Sequence, residues 1–99
     1  MALIFSVESP SSGEDEAPVA LDFDLFEHKL SYAEFPMLAC LNPWGKTVFN
    51  RQQAPYVEAE IERVIAVVDP HRQATLREVV RQCQVVSKQW HAYLVINGD

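Results

Sequence analysis

The second half of the chain contains two amphipathic stretches that meet at Asp69-Pro70, and this arrangement constrains the fold more than any other feature. Over residues 52–68, apolar side chains recur at helical spacing, at Val57, Ile61, Val64, Ile65 and Val68. A second stripe of this kind covers residues 74–89. Asp before Pro can end the first helix and cap the second. Two antiparallel helices of this kind need a further apolar layer to cover their stripes.

Two side-chain pairs have the spacing of a capping box at a helix start. Asn50 with Gln53 precedes the first predicted helix, and Thr75 with Glu78 opens the second stripe. Pro55 lies too deep for an ideal first turn, which predicts a kink or a 3₁₀ start.

Four short segments rich in apolar, β-branched or aromatic residues are predicted as strands, near 2–7, 37–41, 46–49 and 92–96. The two middle segments flank Asn42-Pro43-Trp44-Gly45, whose composition fits a type I turn. We therefore predict a β-hairpin with Trp44 at its tip. The last segment is too apolar to be left exposed, so we expect it inside the sheet.

One segment carries two conflicting patterns. Apolar residues alternate with acids from Leu21 to Leu25, as in a half-buried strand, whereas other apolar residues fall at helical spacing as far as Leu30. We predict a helix near 22–34, because the run is long and Pro36 ends it.

Together these elements predict a single α+β domain over residues 1–99, a two-layer sandwich in which the helices cover a small, mainly antiparallel sheet. A chain of 99 residues with 48% apolar content can build one core without disulfides. Residues 8–20 combine Pro, Ser, Gly and like charges, which predicts a mobile acidic loop.

The formal charge of −6 is concentrated in one half of the chain. Residues 1–50 contain two cationic and eight acidic residues, whereas residues 51–99 contain six of each. The lack of a basic face argues against nucleic-acid binding, and the natural complement of the acidic half is a basic protein partner. No apolar run is long enough to cross a bilayer, and no basic flank precedes the first apolar stretch. We therefore expect a cytoplasmic protein without membrane contact.

No group of residues has the spacing of a catalytic, cofactor or metal site. His28, His71 and His91 match no zinc motif, and there is no glycine-rich phosphate loop. Cys83 with His91 can be nominated as nucleophile and base, but Cys83 falls on an apolar helix stripe, where burial makes a thiol inert. We predict no cofactor, no metal, no catalytic residue, and two buried reduced thiols at Cys40 and Cys83.

Two surfaces are candidates for binding a partner. Asp22, Asp24 and Glu27 lie in the acidic half and can gather if their segment curls into a loop. Trp44 lies at a polar turn, where an indole either folds back onto the core, which we favour, or anchors a partner. These four residues form the predicted partner-binding site.

Two segments resemble a group of small uncharacterised bacterial proteins. They are Leu41-Asn42-Pro43-Trp44-Gly45-Lys46-Thr47-Val48-Phe49-Asn50, followed by Gln53 and a glutamate-rich helix, and Tyr93-Leu94-Val95-Ile96-Asn97-Gly98-Asp99. In that group the turn usually reads Asp-Pro-Tyr-Gly-Asp-Thr, and Asn42, Trp44 and Lys46 depart from it. The resemblance implies a bacterial cytoplasmic protein that binds another protein, and it implies no catalytic residue.

Three functions stay open at this point. The first, which we favour over an enzyme, is a non-enzymatic protein-interaction domain, in its sharpest form an immunity-type inhibitor that places acidic surface in the cationic cleft of a bacterial toxin. The second is a small enzyme or ligand-binding domain built around His28, His91 and the acids. The third is a homodimeric accessory protein that uses an exposed helix or sheet edge.

Overall fold

The two helices predicted in the second half of the chain form and pack against each other. The structure is a computed structural model that describes residues 3–9, 17–28 and 31–98. Helix α1 spans Ala54–Ile65 and helix α2 spans Pro70–Lys88. Neither of these two helices is long and apolar enough to span a bilayer, and the described residues form no other long helix.

The described residues also form a sheet of four strands, β1 (Ile4–Glu8), β2 (Val19–Ala20), β3 (Lys46–Phe49) and β4 (Tyr93–Asn97). The strand order is β2-β1-β4-β3, and all neighbours are antiparallel. Because β4 lies between β1 and β3, the apolar final segment is inside the sheet, as predicted. The α+β fold class is confirmed.

The core lies between the helices and one face of the sheet. Alternate residues of the three longer strands point into it, namely Phe5, Val7, Phe49, Leu94 and Ile96. The helices contribute fully buried side chains that include Val57, Ile61, Leu76, Val79 and Cys83. Burial in this apolar layer raises the pKa of the Cys83 thiol to about 12, so one of the two predicted buried thiols is confirmed. Cys40 is exposed, and its predicted burial is wrong.

The segment at 37–41 is not a strand, so the predicted hairpin does not form. Leu38–Cys40 is a short 3₁₀ helix. The physical reason is Glu60 of α1, whose buried carboxylate accepts the N–H groups of Met37 and Leu38 at 2.9–3.1 Å. A carboxylate that satisfies two consecutive N–H groups holds them together, as at a helix N-terminus, and removes them from any strand ladder.

The predicted helix at 22–34 is also wrong. Its described part contains only the 3₁₀ helix Leu25–His28, followed by turns, with residues 29 and 30 outside the described chain. Leu21, Phe23 and Leu25 are all buried, while the acids between them are exposed. The burial of this segment therefore follows the alternation with period two and not the helical spacing.

Helix α2 begins at Pro70, four residues before the predicted range near 74–89, and Asp69 caps it, as the Asp-Pro pair indicated. The Asp69 Oδ1 atom accepts the Arg72 N–H at 2.9 Å, and Pro70 occupies the first turn. The Thr75–Glu78 pair therefore lies inside the helix and caps nothing.

The Asn50–Gln53 capping box does form, with each side chain accepting the other residue's N–H at 2.9 Å. Turn residues 51–53 lead from this box into α1, in agreement with the irregular start predicted from Pro55.

Both ends of the predicted mobile loop at 8–20 are strand residues. Glu8 belongs to β1, and Val19–Ala20 form β2. Residues 10–16 lie outside the described chain. The buried Gln82 of α2 ties this region to the helix layer, since its Nε2 donates to the carbonyls of Phe5 and Ala17 at 2.9 and 3.2 Å.

Candidate functional site

Two of the three predicted binding acids already have partners inside the chain. Asp22 Oδ2 lies 2.9 Å from His71 Nε2, and both side chains are exposed. The hydrogen bond to His71 holds the pKa of Asp22 below its usual value, and the same bond raises the pKa of His71. Glu27 accepts a hydrogen bond from Arg72, whose guanidinium also lies over the Phe23 ring.

Asp24 plays a local role in the same segment. Its Oδ1 accepts the N–H of Phe26 at 2.9 Å, so the side chain stabilises the start of the short 3₁₀ helix. The structure thus brings Asp22 and Glu27 to the first turn of α2 and holds residues 22–27, which we call the acidic segment, against it. The side chain of His28 is outside the described part of the chain.

Trp44 is presented to solvent, and the core packing that we favoured is wrong. The turn itself forms, since the Gly45 N–H donates to the Asn42 carbonyl at 3.3 Å, but the indole is 71% exposed. Trp44 precedes β3 at one edge of the sheet, whereas the acidic segment follows β2 at the other edge. The four predicted residues therefore do not form one site.

The two segments that carry the bacterial resemblance contact each other. The Gly98 N–H donates to the Gly45 carbonyl at 2.7 Å, and a Cβ on Gly98 would lie 2.7 Å from the Asn42 carbonyl oxygen and closer still to that of Pro43. Asn42 Oδ1 accepts the Trp44 N–H, and Thr47 Oγ1 accepts the Asn42 N–H. Most residues of these two segments that make contacts here therefore have a structural role, whereas the exposed Trp44 side chain has none.

The face of the sheet opposite the helices is not covered by any described element. We call it the open face, and its residues are Ile4, Ser6, Glu8, Ala20, Lys46, Val48, Tyr93, Val95 and Asn97. Its large exposed apolar members are Ile4, Val48 and Tyr93, which are 41%, 48% and 42% exposed. They surround Val95, which is only 2% exposed although it lies outside the core between the layers. The face thus has an apolar centre of its own.

An open pocket adjoins this face, and Tyr93 belongs to both. The pocket has a volume of about 230 Å³ and is lined by Asn50, Arg51, Gln52, Trp90, His91 and Tyr93, together with buried Ala92. We call it the Arg51 pocket. The Arg51 guanidinium stacks on the Trp90 ring at 3.9 Å from its centroid, and Trp90 is 71% exposed. No carboxylate among the described residues pairs with Arg51.

His91 gives this pocket a strained wall. Its φ is 64°, which makes it the one described non-glycine residue with positive φ. Such a conformation costs of order 1 kcal/mol and persists only where the surrounding structure imposes it, often at functional sites.

The sequence prediction missed Arg51, Trp90 and Tyr93, although one signal was available. The stretches 35–57 and 79–98 contain no acidic residue and four Lys or Arg residues, and they supply β3, β4 and the whole pocket lining. The charge balance of each half of the chain does not reveal these two acid-free stretches, because the acids of α1 and early α2 lie between them.

The described residues hold no group of three or more His, Cys, Asp or Glu side chains that could bind a metal ion. Comparison with known proteins adds no family: no protein-family model matches the chain, and neither a curated protein nor a solved structure resembles it.

Proposed function

We propose that this chain is a non-enzymatic protein-interaction domain of the bacterial cytoplasm, and that it binds its partner through the open face of the sheet. The observation that carries the proposal is the apolar centre of that face, where Ile4, Val48 and Tyr93 surround the buried Val95. Contiguous exposed apolar surface with polar residues at its border is typical of protein-binding surfaces.

The aromatic residues beside the open face support the same proposal. Trp44, Trp90 and Tyr93 lie at the β3–β4 side of the sheet, and all three are exposed. Tryptophan, tyrosine and arginine dominate the binding energy of protein interfaces, and Arg51 stands against Trp90 here.

An immunity-type inhibitor of a bacterial toxin is a specific form of this proposal. The overall charge of −6 favours it, since an acidic protein is attracted to a cationic cleft. Asp22 and Glu27 contribute less than expected, because His71 and Arg72 partly neutralise them. A basic partner would therefore contact the acidic segment at the β2 edge in addition to the open face.

A homodimer is the second candidate, and one observation favours it. Glu8 and Lys46 occupy diagonally opposite corners of the open face. A twofold axis between two such faces places each Glu8 on the partner copy's Lys46, which makes the face self-complementary.

The test is quantitative affinity capture from a lysate of the source organism with two matched variants. Val48→Lys places a charge beside Val95 in the apolar part of the open face, whereas Val67→Lys alters an equally apolar, 72% exposed residue in the connection between the helices. We expect the captured protein to fall about tenfold or more with Val48→Lys and to be unchanged with Val67→Lys.

Equal capture by both variants, or no captured protein above background, would contradict binding through the open face. Light scattering of the purified chain separates the second candidate, because a homodimer shows twice the monomer mass and becomes a monomer with Val48→Lys.

A further inference from the structure

The free edge of β3 presents unused main-chain hydrogen-bonding groups. Gly98 donates to the Gly45 carbonyl, and this pair continues the β3–β4 register, so the strands bond through residues 45, 47 and 49. By the alternation of antiparallel pairing, the N–H and C=O groups of Lys46 and Val48 point away from β4. No described residue bonds to these outward groups. An extended segment can therefore add to this edge.

Cations stand at both ends of the edge. Lys46 is the first residue of β3, and Arg51 follows its end with only the capping residue Asn50 between. Arg51 is held against Trp90 without a carboxylate partner among the described residues. A partly buried guanidinium that lies over an aromatic ring is a good receptor for a carboxylate, because it offers paired N–H donors in a fixed plane.

The charged side chains at the two ends of this edge, Lys46 and Arg51, have the opposite sign to the net charge of the protein. Residues 35–57 and 79–98 contain no acid, and no acidic residue lines the Arg51 pocket. An acidic ligand is therefore repelled less at this edge than the net charge of −6 alone would indicate.

We infer that the partner of the proposed interaction domain presents an extended acidic segment, which pairs with the β3 edge and seats a carboxylate against Arg51 in the Arg51 pocket. This inference rests on the proposed function and specifies only the part of the partner that contacts the β3 edge; a cationic region that meets Asp22 and Glu27 at the β2 edge would be a different part of it. The rise of about 3.3 Å per strand residue places the acidic side chain two or three residues beyond the one opposite Val48. Beside Val48, the segment carries a β-branched or aromatic residue.

A second copy of the chain fits this edge poorly. Antiparallel pairing of two β3 strands would bring the Lys46 and Arg51 side chains of both copies to the same border. The repulsion between these cations opposes the pairing of two copies, so the β3 edge favours an acidic segment over a second copy of the chain.

The experiment is selection of a random heptapeptide display library on the full chain. We expect the enriched peptides to carry Asp or Glu two or three residues from a β-branched or aromatic residue. A synthetic peptide with the enriched sequence should bind Arg51→Glu at least about tenfold more weakly than the unaltered chain. Arg77→Glu, on the exposed side of α2, is the matched control and should leave its affinity unchanged.

A second measurement tests the edge pairing itself. Binding of the same peptide should slow hydrogen exchange of the Val48 amide, which faces solvent in the free chain. Enrichment of peptides without acids, equal binding by Arg51→Glu, an unprotected Val48 amide or no enrichment at all would each overturn the inference. If the enriched peptides carry no acid and their binding is lost with Val48→Lys, the inference of an acidic partner segment is refuted, while the proposed function stands.

Discussion

Gly98 shows how a single residue without a side chain can join two parts of the chain. It lies against the Asn42-Pro43 carbonyls, so Gly98→Ala must displace main chain. At Gly45, an added Cβ instead meets the end of the Asn42 side chain at 2.6 Å, and that amide can rotate away.

We expect Gly98→Ala to lower the free energy of unfolding by about 1–3 kcal/mol, the usual cost of overpacking. Gly45→Ala should cost clearly less. Urea denaturation of the two variants, followed by tryptophan fluorescence, measures both values. Equal losses would show that the C-terminal glycine is not held against the turn.

At the same scale, the exposure of a side chain was predictable only where local spacing determines it. Cys83 is buried as expected, because the helical spacing that places it in the core is local. Cys40 is exposed in a short helix whose start is held by a distant carboxylate, and Trp44 is exposed at a turn whose local pattern does not fix where the indole lies.

At the scale of elements, Glu60 is that carboxylate. It is 6% exposed and accepts the N–H groups of Met37 and Leu38, from 23 and 22 residues away in sequence. Hydrogen bonds to a charged group contribute about 1.5–3 kcal/mol each, and their loss leaves buried donors unsatisfied.

We predict that Glu60→Ala lowers the free energy of unfolding by about 3 kcal/mol and loosens the short helix Leu38–Cys40. Glu62→Ala, two positions along the same helix and exposed, should change it by less than about 0.5 kcal/mol. Chemical denaturation gives the free energies, and amide exchange of Leu38 reports the loosening. A similar cost for the two substitutions would refute the role of the buried carboxylate.

The elements with local signals were predictable from the sequence. The stripes of α1 and α2, the Asn50–Gln53 box and the apolar run of β4 all depend on neighbours within a few residues. The segments at 22–34 and 37–41 were not predictable, because each had a plausible local pattern that a long-range contact overrode. Glu60 sets the second, and the buried side chains Leu21, Phe23 and Leu25 set the first.

The candidate site was less predictable than the fold. Arg51 and Trp90 follow different elements and meet only because β3 and β4 are neighbours. The acidic segment was conspicuous in the sequence, yet the structure shows that part of its charge is used to hold it on α2.

At the scale of the whole molecule, the Asp22–His71 pair fastens the chain after β2 to the start of α2, and its effect depends on pH. His71 has a raised pKa in the folded state, so its stabilising contribution is full below the ordinary value of 6.5 and is lost as the pH rises through the folded value. Asp22 has a lowered pKa, so its contribution is present above 3.8 and is lost as the pH falls through the folded value.

We expect an NMR titration to give His71 a pKa above 6.5, and Asp22→Asn to bring it back towards that value. Asp24→Asn, which removes a neighbouring acid without contact to His71, is the control and should leave it unchanged. If the His71 pKa in Asp22→Asn equals that in the unaltered chain, the two side chains do not meet in solution.

The position of β4 in the middle of the sheet has a consequence for biosynthesis. Residues 93–97 lie between β1 and β3, yet a ribosome makes them after the other three described strands. Until they emerge, β1 and β3 have no strand between them, and the helices lack the core side chains Leu94 and Ile96. During synthesis, the nascent chain therefore exposes apolar surface that the complete fold buries, and we expect the domain to fold only after β4 has emerged.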